Sequence, residues 1–386
     1  ETCALAVLPN APALIFPGKN EQAFRQKRNA LLKKLYAESV IDQTTYELAL
    51  DEPLPGQPRR LPQLVPHLVN HAMKDGFRGE RIRTSINRRL QRQVLRRTEM
   101  HHRRLKYNQI HNAAALVLDT ETGQVKAYVG NTTDPENRHQ NRVDVITAPR
   151  SSGSILKPLL YAARLDAGEM LPHTLVPDVP TQINGYSPKN FDEHYDGAVK
   201  ASTALYRSLN IPAVRMLQSY GLEKFYDKLK KLEVSTLNHP ADHYGLSLIL
   251  GGSEVTLWEV TGIYASMARS LDHFSRLSSR YDPEDYHLPG YMADYFDDYE
   301  PEGKRDGSIF SAASTWFTFD ALTKLHRPRQ ERGWKIMGSS RKIAWKTGTS
   351  FGFRDGWAIG VTPKYTVGVW VGNADGEGRP GLTGVN

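Results

Sequence analysis

Hydrophobic and polar residues follow the period of β-strands in two stretches that lie far apart in the chain. The first, residues 113–130, reads AAALVLD, TETG and QVKAYVG, which predicts two strands around a tight turn where Gly123 supplies a positive φ. The second, residues 343–373, reads IAWKTGTS, RDGWAIGV and YTVGVWVGN, with turns at Gly352 and Pro363. This second stretch predicts an antiparallel meander.

The residues between these stretches follow the period of helices. Residues 200–221 predict two helical pieces that break at Ser-Leu-Asn, and residues 256–269 open with a capping box and predict a buried helix. Ser311 caps another predicted helix, whereas the aromatic and acidic residues 273–307 are typical of an insertion. Strands at both ends with helices between them predict an α+β fold, in which the N-terminal and C-terminal strands share one antiparallel sheet.

The first part of the chain has a different character. Residues 20–36 predict an amphipathic helix with Asn20 as its N-cap, a second short helix covers IDQTTYELAL, and the proline-rich residues 51–66 predict a linker. Residues 77–107 carry eleven Arg and Lys against two Glu, and apolar residues recur every fourth position from Ile86, which predicts a basic helix. This helix either packs on a domain or contacts membrane or glycolipid phosphates; nucleic acid is disfavoured because no aromatic residue interleaves the arginines.

Composition restricts the class of protein. With 39% hydrophobic and 24% charged residues among 386, the chain is not disordered, and no apolar run reaches the length of a membrane span. The single cysteine, Cys3, excludes an internal disulfide, and the histidines show no metal-ligand spacing, so we expect neither metal nor cofactor. Because the chain begins with Glu1 rather than Met, we expect a piece of a longer precursor.

One short stretch, RSSGSILKP at residues 150–158, places a serine and a lysine three residues apart where a helix is predicted to begin. These positions share a helix face, so Lys157 can approach the Ser154 hydroxyl, and a partly desolvated lysine has a lowered pKa and can accept the hydroxyl proton. Ser154 is therefore a candidate nucleophile. The motif alone is weak, because Ser339 and Lys342 match it too.

Two further motifs strengthen this interpretation. Ser208-Leu-Asn210 lies at the predicted break between two helical pieces. Lys346-Thr347-Gly348-Thr349 lies on a predicted strand, where the glycine allows another backbone or a ligand to come close. The order Ser-x-x-Lys, Ser-x-Asn, Lys-Thr-Gly is closely similar to the set found in penicillin-binding proteins and class A β-lactamases, and the second Ser-x-x-Lys match does not fit that order.

The chain resembles the bifunctional class A penicillin-binding proteins over nearly its whole length. Beyond the three motifs, the resemblance includes ETCALAVLPNAP, LDTETGQVKAYVG, YSPKNFDEHYDG, LSLILGG and WKTGTSFGFRDGWAIG. It implies a serine transpeptidase or β-lactamase-like fold, preceded by a helical remnant of a lysozyme-like glycosyltransferase domain. The implied domains are 1–55 for the end of the glycosyltransferase domain, 56–112 for a linker with the basic helix, and 113–386 for a transpeptidase domain that is truncated at its C-terminus.

The resemblance also implies a role for each motif residue in the cross-linking of peptidoglycan. Ser154 would attack the carbonyl between the last two D-alanines of a stem peptide, with Lys157 as its general base. Ser208 would relay a proton to the departing D-alanine. Asn210 would orient Lys157 and hold the amide of the acyl donor, and Lys346 would support the proton network.

The remaining motif residues would bind the substrate. Thr347 and Thr349, on either side of Gly348, would donate hydrogen bonds to the substrate carboxylate, and the backbone N–H groups of Ser154 and Thr349 would form the oxyanion hole. The implied partners are donor and acceptor stem peptides, β-lactams and, for the parent protein, lipid II. The implied location is the periplasmic face of the bacterial inner membrane, behind an upstream transmembrane helix.

Two other functions remain open at this point. A serine β-lactamase needs a glutamate that activates water, typically in Glu-x-x-Leu-Asn, and here Glu233 lies one residue too far from Leu237 and Asn238. A catalytically silent module that binds stem peptides would keep the motif residues without the catalytic geometry. A long-lived penicillin adduct, repeated penicillin turnover, or peptide binding without acylation would separate the three functions.

Overall fold

A five-stranded antiparallel sheet organises the larger part of the chain. The described strands are β1 (Asn112–Asp119), β2 (Val125–Val129), β3 (Arg150–Ser151), β4 (Leu175–Asp178), β5 (Gly197–Lys200), β6 (Glu254–Val255), β7 (Ala344–Thr349), β8 (Asp355–Val361) and β9 (Tyr365–Gly372). The sheet has the order β2-β1-β9-β8-β7, and two further strand pairs, β3–β6 and β4–β5, lie outside it. The predicted hairpin and meander are confirmed, and they share one sheet as the α+β prediction requires.

The structure is a computed structural model that describes all residues except 1, 10–12, 58–62, 135, 184, 277–278, 295–306, 326–341 and 385–386. It divides into two compact units, residues 1–63 and 64–386. The helices are α1 (Thr2–Val7), α2 (Glu21–Ala37), α3 (Gln43–Asp51), α4 (Pro66–Lys74), α5 (Arg88–Leu105), α6 (Lys157–Asp166), α7 (Ala201–Tyr206), α8 (Asn210–Tyr220), α9 (Leu222–Lys231), α10 (Ala241–Tyr244), α11 (Leu257–Arg276) and α12 (Ala312–Leu322). Among the described helices, none is long and apolar enough to cross a membrane.

The smaller unit is a helical cluster around Phe24 and Ile15. Asp42 caps α3 by accepting a hydrogen bond from the Thr45 N–H at 2.7 Å. Asn20 lies at the N-cap position of α2, but its φ of 51° is left-handed and its side chain donates to the Leu14 carbonyl oxygen. The predicted helix is therefore confirmed, whereas the predicted side-chain cap is wrong.

The central helix α11 packs against β1, β8 and β9 and forms the core of the larger unit. Its capping box is confirmed: Thr256 Oγ1 accepts from the Glu259 N–H, and Glu259 Oε2 accepts from the Thr256 N–H, both at 3.1 Å. A Cβ at Gly368 of β9 would lie 2.0 Å from Thr261 Oγ1, so glycine is what lets the helix approach the sheet. The helix ends at Arg276, which means that the predicted insertion began too early.

The basic block forms a shorter helix than predicted. Asn87 caps α5 by accepting from the Leu90 N–H at 2.9 Å. Before it, the Ser85 N–H donates to the Tyr291 carbonyl oxygen at 2.9 Å. Helix α5 packs against β1 and β2. Residues 77–87 are therefore not helical, because they bond to neighbouring segments instead.

Candidate active site

Ser154 lies in the turn that connects β3 to α6, one turn before the helix begins. The Lys157 N–H donates to the Ser154 carbonyl oxygen at 3.3 Å, and α6 starts at Lys157 itself. The prediction that Ser154 belongs to the first helical turn is therefore wrong by one turn. The turn is held from two sides, because the Trp357 indole donates to the Ser151 carbonyl oxygen at 2.9 Å and the Ser152 N–H donates to the Ser253 carbonyl oxygen at 3.0 Å.

Lys157 is buried and points its amine at the break between α7 and α8. Its Nζ donates to the Ser208 carbonyl oxygen at 2.8 Å, to the Leu209 carbonyl oxygen at 3.2 Å and to Asn210 Oδ1 at 2.7 Å. Among the described contacts, no hydrogen bond joins this amine to the Ser154 hydroxyl. Three acceptors occupy the three N–H donors of a protonated lysine. A neutral amine has two donors, so loss of a proton frees one contact and a lone pair.

The break between α7 and α8 presents both residues of the second motif. Ser208 has a left-handed backbone with a φ of 60°, which turns the chain between the two helices. Its hydroxyl accepts a hydrogen bond from Lys346 Nζ at 2.8 Å, while its carbonyl accepts from Lys157. Both lysines of the predicted site therefore reach the same serine, one through the backbone and one through the side chain.

Burial lowers the basicity of both amines. Desolvation holds the pKa of Lys157 well below its ordinary value, and the neighbouring Lys346 charge lowers it further. Burial lowers the pKa of Lys346 to about 7. Like charges close together in a desolvated site favour loss of a proton, so one of the two amines is readily neutral near physiological pH.

Strand β7 approaches the Ser154 turn so closely that only glycines fit. A Cβ at Gly348 would lie 2.9 Å from Ile155 Cγ2 and 3.2 Å from the Ser154 nitrogen. A Cβ at Gly153 would lie 3.0 Å from the Thr349 nitrogen and 2.9 Å from its carbonyl oxygen. The backbones of the first and third motifs are therefore in contact.

Among the described residues, no strand pairs with β7 on the side away from β8, which leaves that edge of the strand free. Ser350 donates its N–H to the Asp355 carbonyl oxygen at 3.0 Å, on the β8 side. Because N–H directions alternate along a strand, the Thr349 N–H points away from β8, toward the free edge. The same alternation puts Lys346 and Gly348 on the Ser154 side and the side chains of Thr347 and Thr349 on the other face. There the Thr349 hydroxyl accepts from the Gly384 N–H at 3.2 Å.

A cleft of about 870 Å³ opens in front of Ser154. Four aromatic side chains contribute to its lining, and among the lining residues the carboxylate is Glu193, which pairs with Lys189 at 3.1 Å. The lining residues include Ser154, Tyr186, Asn190, Phe191, Asn210, Thr349, Phe351 and Phe353. Glu233, the candidate water-activating residue of the β-lactamase alternative, is not among them and lies in the turn after α9.

The structure brings together most of the predicted site residues. Ser154, Asn210 and Thr349 line the cleft, and Lys157, Ser208 and Lys346 form a hydrogen-bonded chain behind it. Thr347 is half-buried, and its side chain does not line the cleft. Of the competing Ser-x-x-Lys pair, Ser339 lies outside the described residues.

One cluster of metal-ligating side chains occurs among the described residues, outside this site. The candidate ligand atoms of His273, Asp282 and Asp285 lie within 4.8 Å of one another. His273 Nδ1 is already hydrogen bonded to Asp285 Oδ1 at 2.6 Å. None of the three lines the cleft.

The chain matches a known protein family over most of its length. A family described as "Penicillin binding protein transpeptidase domain" matches residues 113–381. The chain belongs to the penicillin-binding proteins. Membership confirms the predicted resemblance and the predicted fold, and it assigns the domain to transpeptidation in peptidoglycan synthesis.

Individual relatives support the same assignment. The resemblance pointed, within class A, to penicillin-binding protein 1C, and the protein of that name from Escherichia coli (strain K12) is 31% identical over 97% of this chain and 46% of its own length. Penicillin-binding protein 1F from Bacillus subtilis (strain 168) is 30% identical over 67% of this chain and 35% of its own length. The chain thus spans less than half of these relatives.

A solved structure supports the fold. Penicillin-binding protein 1A from Haemophilus influenzae superposes with a TM-score of 0.73 over 100% of this chain and 77% of that chain, at 17% sequence identity. At this identity the likeness concerns the fold alone.

Sequence reasoning missed one part of the site. The segment YSPKNFDEHYDG matched the family, but no residue of it received a role. In the structure, Asn190 of this segment contacts the backbone of Asn210 and Ile211, and the Lys189 carbonyl contacts the Asn210 side chain. The sequence offered no local signal for this role, because the partner of Asn190 lies twenty residues away in the chain.

Proposed function

We propose that this domain is a serine D-Ala-D-Ala transpeptidase in which Ser154 is the nucleophile. The observation that carries the proposal is the convergence of two buried lysines on Ser208, behind a serine whose backbone contacts the Lys-Thr-Gly strand. Buried amines with lowered pKa values are available as bases at neutral pH without a histidine. The same three motifs define the family to which the chain belongs.

In acylation, Ser154 Oγ attacks the carbonyl carbon of the penultimate D-alanine. The hydroxyl proton of Ser154 passes to Lys157. Lys157 can accept it in its neutral form, because an amine with only two N–H groups leaves one of its three hydrogen-bond acceptors unused and has a free lone pair. The C–N bond to the last D-alanine then breaks, and Ser208 passes a proton from the lysine pair to the departing amine. An acceptor amine from a second stem peptide then attacks the ester carbonyl. The new C–N bond forms as the C–O bond to Ser154 breaks, and the proton lost by the amine passes through Lys157 to Ser154 Oγ, which completes the cross-link.

Charge on the carbonyl oxygen is stabilised by backbone donors. The proposed donors are the N–H groups of Ser154 and Thr349, which belong to two segments that are in contact. A preorganised donor of this kind is worth about 3–4 kcal/mol in a water-excluded site. We retain Thr349 and Thr347 as donors to the substrate carboxylate, beside Gly348; for both side chains this role rests on the family resemblance alone.

The setting of the domain is part of the proposal. Stem peptides and β-lactams are its proposed ligands, with lipid II as a substrate of the parent protein and the periplasmic face of the inner membrane as its location. The division into residues 1–55, 56–112 and 113–386 stays a prediction. The exposed arginines of α5 remain candidates for contact with membrane or glycolipid phosphates.

The intact mass of the protein after benzylpenicillin treatment tests the nucleophile. We expect one stable adduct in the wild type, none in Ser154→Ala, and an unchanged adduct in Ser187→Ala, a control at an exposed serine that lines the same cleft. An adduct that persists in Ser154→Ala refutes the assignment. Rapid release of hydrolysed penicillin would favour a β-lactamase, and stem-peptide binding without acylation would favour a silent binding module.

A further inference from the structure

Helix α8, which begins with the catalytic-motif residue Asn210, has no N-cap of its own. Its N-cap position is held by Leu209, whose side chain has no hydrogen-bonding group. The first N–H groups of a helix need acceptors from outside the helix. Here Asn190 supplies one, because its Oδ1 accepts from the Asn210 N–H at 2.9 Å and from the Ile211 N–H at 3.2 Å. The cap is therefore delivered by a distant loop.

The same loop also fixes the side chain of Asn210. Asn210 Nδ2 donates to the Lys189 carbonyl oxygen at 2.8 Å, and Oδ1 accepts from Lys157 Nζ at 2.7 Å. A carboxamide carries its donors and its acceptor at opposite ends of one plane. With the NH₂ end anchored on a carbonyl, the oxygen must face the lysine. Residues 189 and 190 thus hold Asn210 by its backbone and by its side chain.

Asn190 is itself held in one orientation. Its Nδ2 donates to Asp178 Oδ1 at 2.7 Å and to the His194 carbonyl oxygen at 2.8 Å, so both hydrogens of the amide are used. Asp178 is fully buried, and its second oxygen accepts from the Asp196 N–H at 3.0 Å. Only Oδ1 of Asn190 is left to face α8. A hydrogen bond to a carboxylate is stronger than one to a neutral acceptor, so Asp178 holds the Asn190 amide firmly.

We propose that Asn190, oriented by Asp178, is a positioning residue that aims Asn210 at the amine of Lys157. The inference deepens the proposed function and rests on it, because its kinetic consequence requires acylation at Ser154. Asn190 acts through Asn210 in this scheme and does not itself take part in the chemistry. Loss of its side chain should leave the lysine buried but loosen the acceptor that orients it.

The main test compares Asn190→Ala with Gln91→Ala. Gln91 is a comparable control, because both hydrogens of its buried amide are also used, by the carbonyl oxygens of Leu64 and Tyr128, and its oxygen also accepts from a backbone N–H. It lies by β2, at the opposite edge of the sheet from β7. Both variants should unfold at lower temperature. Only Asn190→Ala should slow the penicillin acylation rate constant, by about 10- to 100-fold at saturating ligand, because misplaced catalytic groups cost rates of this order. Equal acylation in both variants overturns the proposal.

A double-mutant cycle separates positioning from a general loss of structure. If Asn190 acts through Asn210, then Asn190→Ala introduced into Asn210→Ala should lower the acylation rate by less than about threefold, since the two residues are coupled. Additive losses in the double variant contradict the proposal. Asp178→Asn keeps an acceptor for Asn190 but turns an NH₂ group toward the Asp196 N–H, so it should give a smaller loss than Asn190→Ala.

Hydrogen exchange provides a readout that does not depend on acylation. The backbone amides of Asn210 and Ile211 should exchange faster in Asn190→Ala than in the wild type, and at the wild-type rate in Gln91→Ala. Equal exchange rates in both variants and the wild type would refute the claim that Asn190 anchors the start of α8. If the wild type forms no penicillin adduct, the proposed function fails, and the exchange measurement still decides whether Asn190 holds the start of α8.

Discussion

The two edge strands of the central sheet, β2 and β7, differ in what contacts their unpaired backbone groups. An edge strand presents unpaired N–H and C=O groups, and at β2 the side chain of Gln91 covers them by accepting from the Tyr128 N–H at 2.7 Å and donating to its carbonyl oxygen at 2.9 Å. At β7 the Ser154 turn comes close, but no hydrogen bond between the described residues pairs the two backbones, and the Thr349 N–H points away from β8. An edge that is covered stabilises the fold, whereas an edge left open can bind a ligand's backbone.

The two edges also differ in the charges they bury. Near β7, Lys157 and Lys346 are almost completely removed from solvent, and desolvation lowers both pKa values. Near β2, the arginines of α5 stay exposed, while the buried groups are a neutral amide and the Tyr128 phenol. Burying a charged amine costs far more free energy than burying a neutral one, so burial near the β7 edge lowers stability and makes the two lysines available as bases.

The largest effect is expected from removing the base at the open edge. Lys157→Ala should lower the penicillin acylation rate by about 10³-fold, because general base catalysis typically contributes 10²- to 10⁴-fold. Stopped-flow measurement of adduct formation checks this expectation. Lys157→Arg, which keeps a positive charge but cannot lose its proton, should be as inactive. An Arg variant that acylates at the wild-type rate would show that the residue acts through its charge alone.

A smaller but still large effect is expected from adding one methyl group at the open edge. Gly348→Ala places a Cβ 2.9 Å from Ile155 Cγ2, which should push β7 away from the Ser154 turn and slow acylation about 10²-fold. Gly360→Ala on β8 is the control, because its Cβ would meet Ile343 Cγ2 at an ordinary 3.5 Å. Equal acylation rates in the two variants would contradict the close contact between the motifs.

The pH dependence of acylation should report the lysine pair. Since burial lowers the pKa of both amines, we expect acylation to fall about tenfold per pH unit once the pH is low enough for the pair to hold both protons. Lys346→Met removes the charge that lowers the pKa of Lys157, so the remaining acylation should shift to higher pH. A pH profile that does not move in this variant would argue against coupling of the two amines.

The lowered lysine pKa values also predict how stability depends on pH. In the unfolded chain a lysine binds its proton up to pH about 10.5, whereas in the folded protein Lys346 releases it near 7. The unfolded state therefore binds more protons between these values, and the free energy of unfolding should increase as the pH rises from 7 toward 10.5. Urea unfolding of the wild type and Lys346→Met measures this slope, which should be shallower in the variant.

The smallest effect on activity is expected at the covered edge. Gln91→Ala leaves the Tyr128 N–H without its acceptor and should lower the free energy of unfolding by about 1–3 kcal/mol. Its acylation rate at 25 °C should equal that of the wild type. A kinetic defect in this variant would mean that the two edges are coupled through the sheet.

Much of the fold could be predicted because its signals are local. The capping box at Thr256, the Ser311 cap and the helix break at Ser208 each involve groups within a few residues of one another, and all are present. The ends of two helices could not be predicted in this way. Helix α6 begins one turn after Ser154, and α5 begins only at Arg88, because bonds to distant segments set those ends.

The amino-acid sequence by itself determined the α+β class, the order of the three motifs and thereby the candidate residues, since periodicity and motif spacing are properties of a chain. Tertiary structure alone decided that both lysines meet at Ser208, that the Thr349 N–H faces the open edge and that Asn190 completes α8. These contacts join residues from 20 to 138 positions apart. Contacts between residues so far apart produce no periodic pattern in the sequence, because the free energy that favours each contact comes from burial and hydrogen bonding in the folded state.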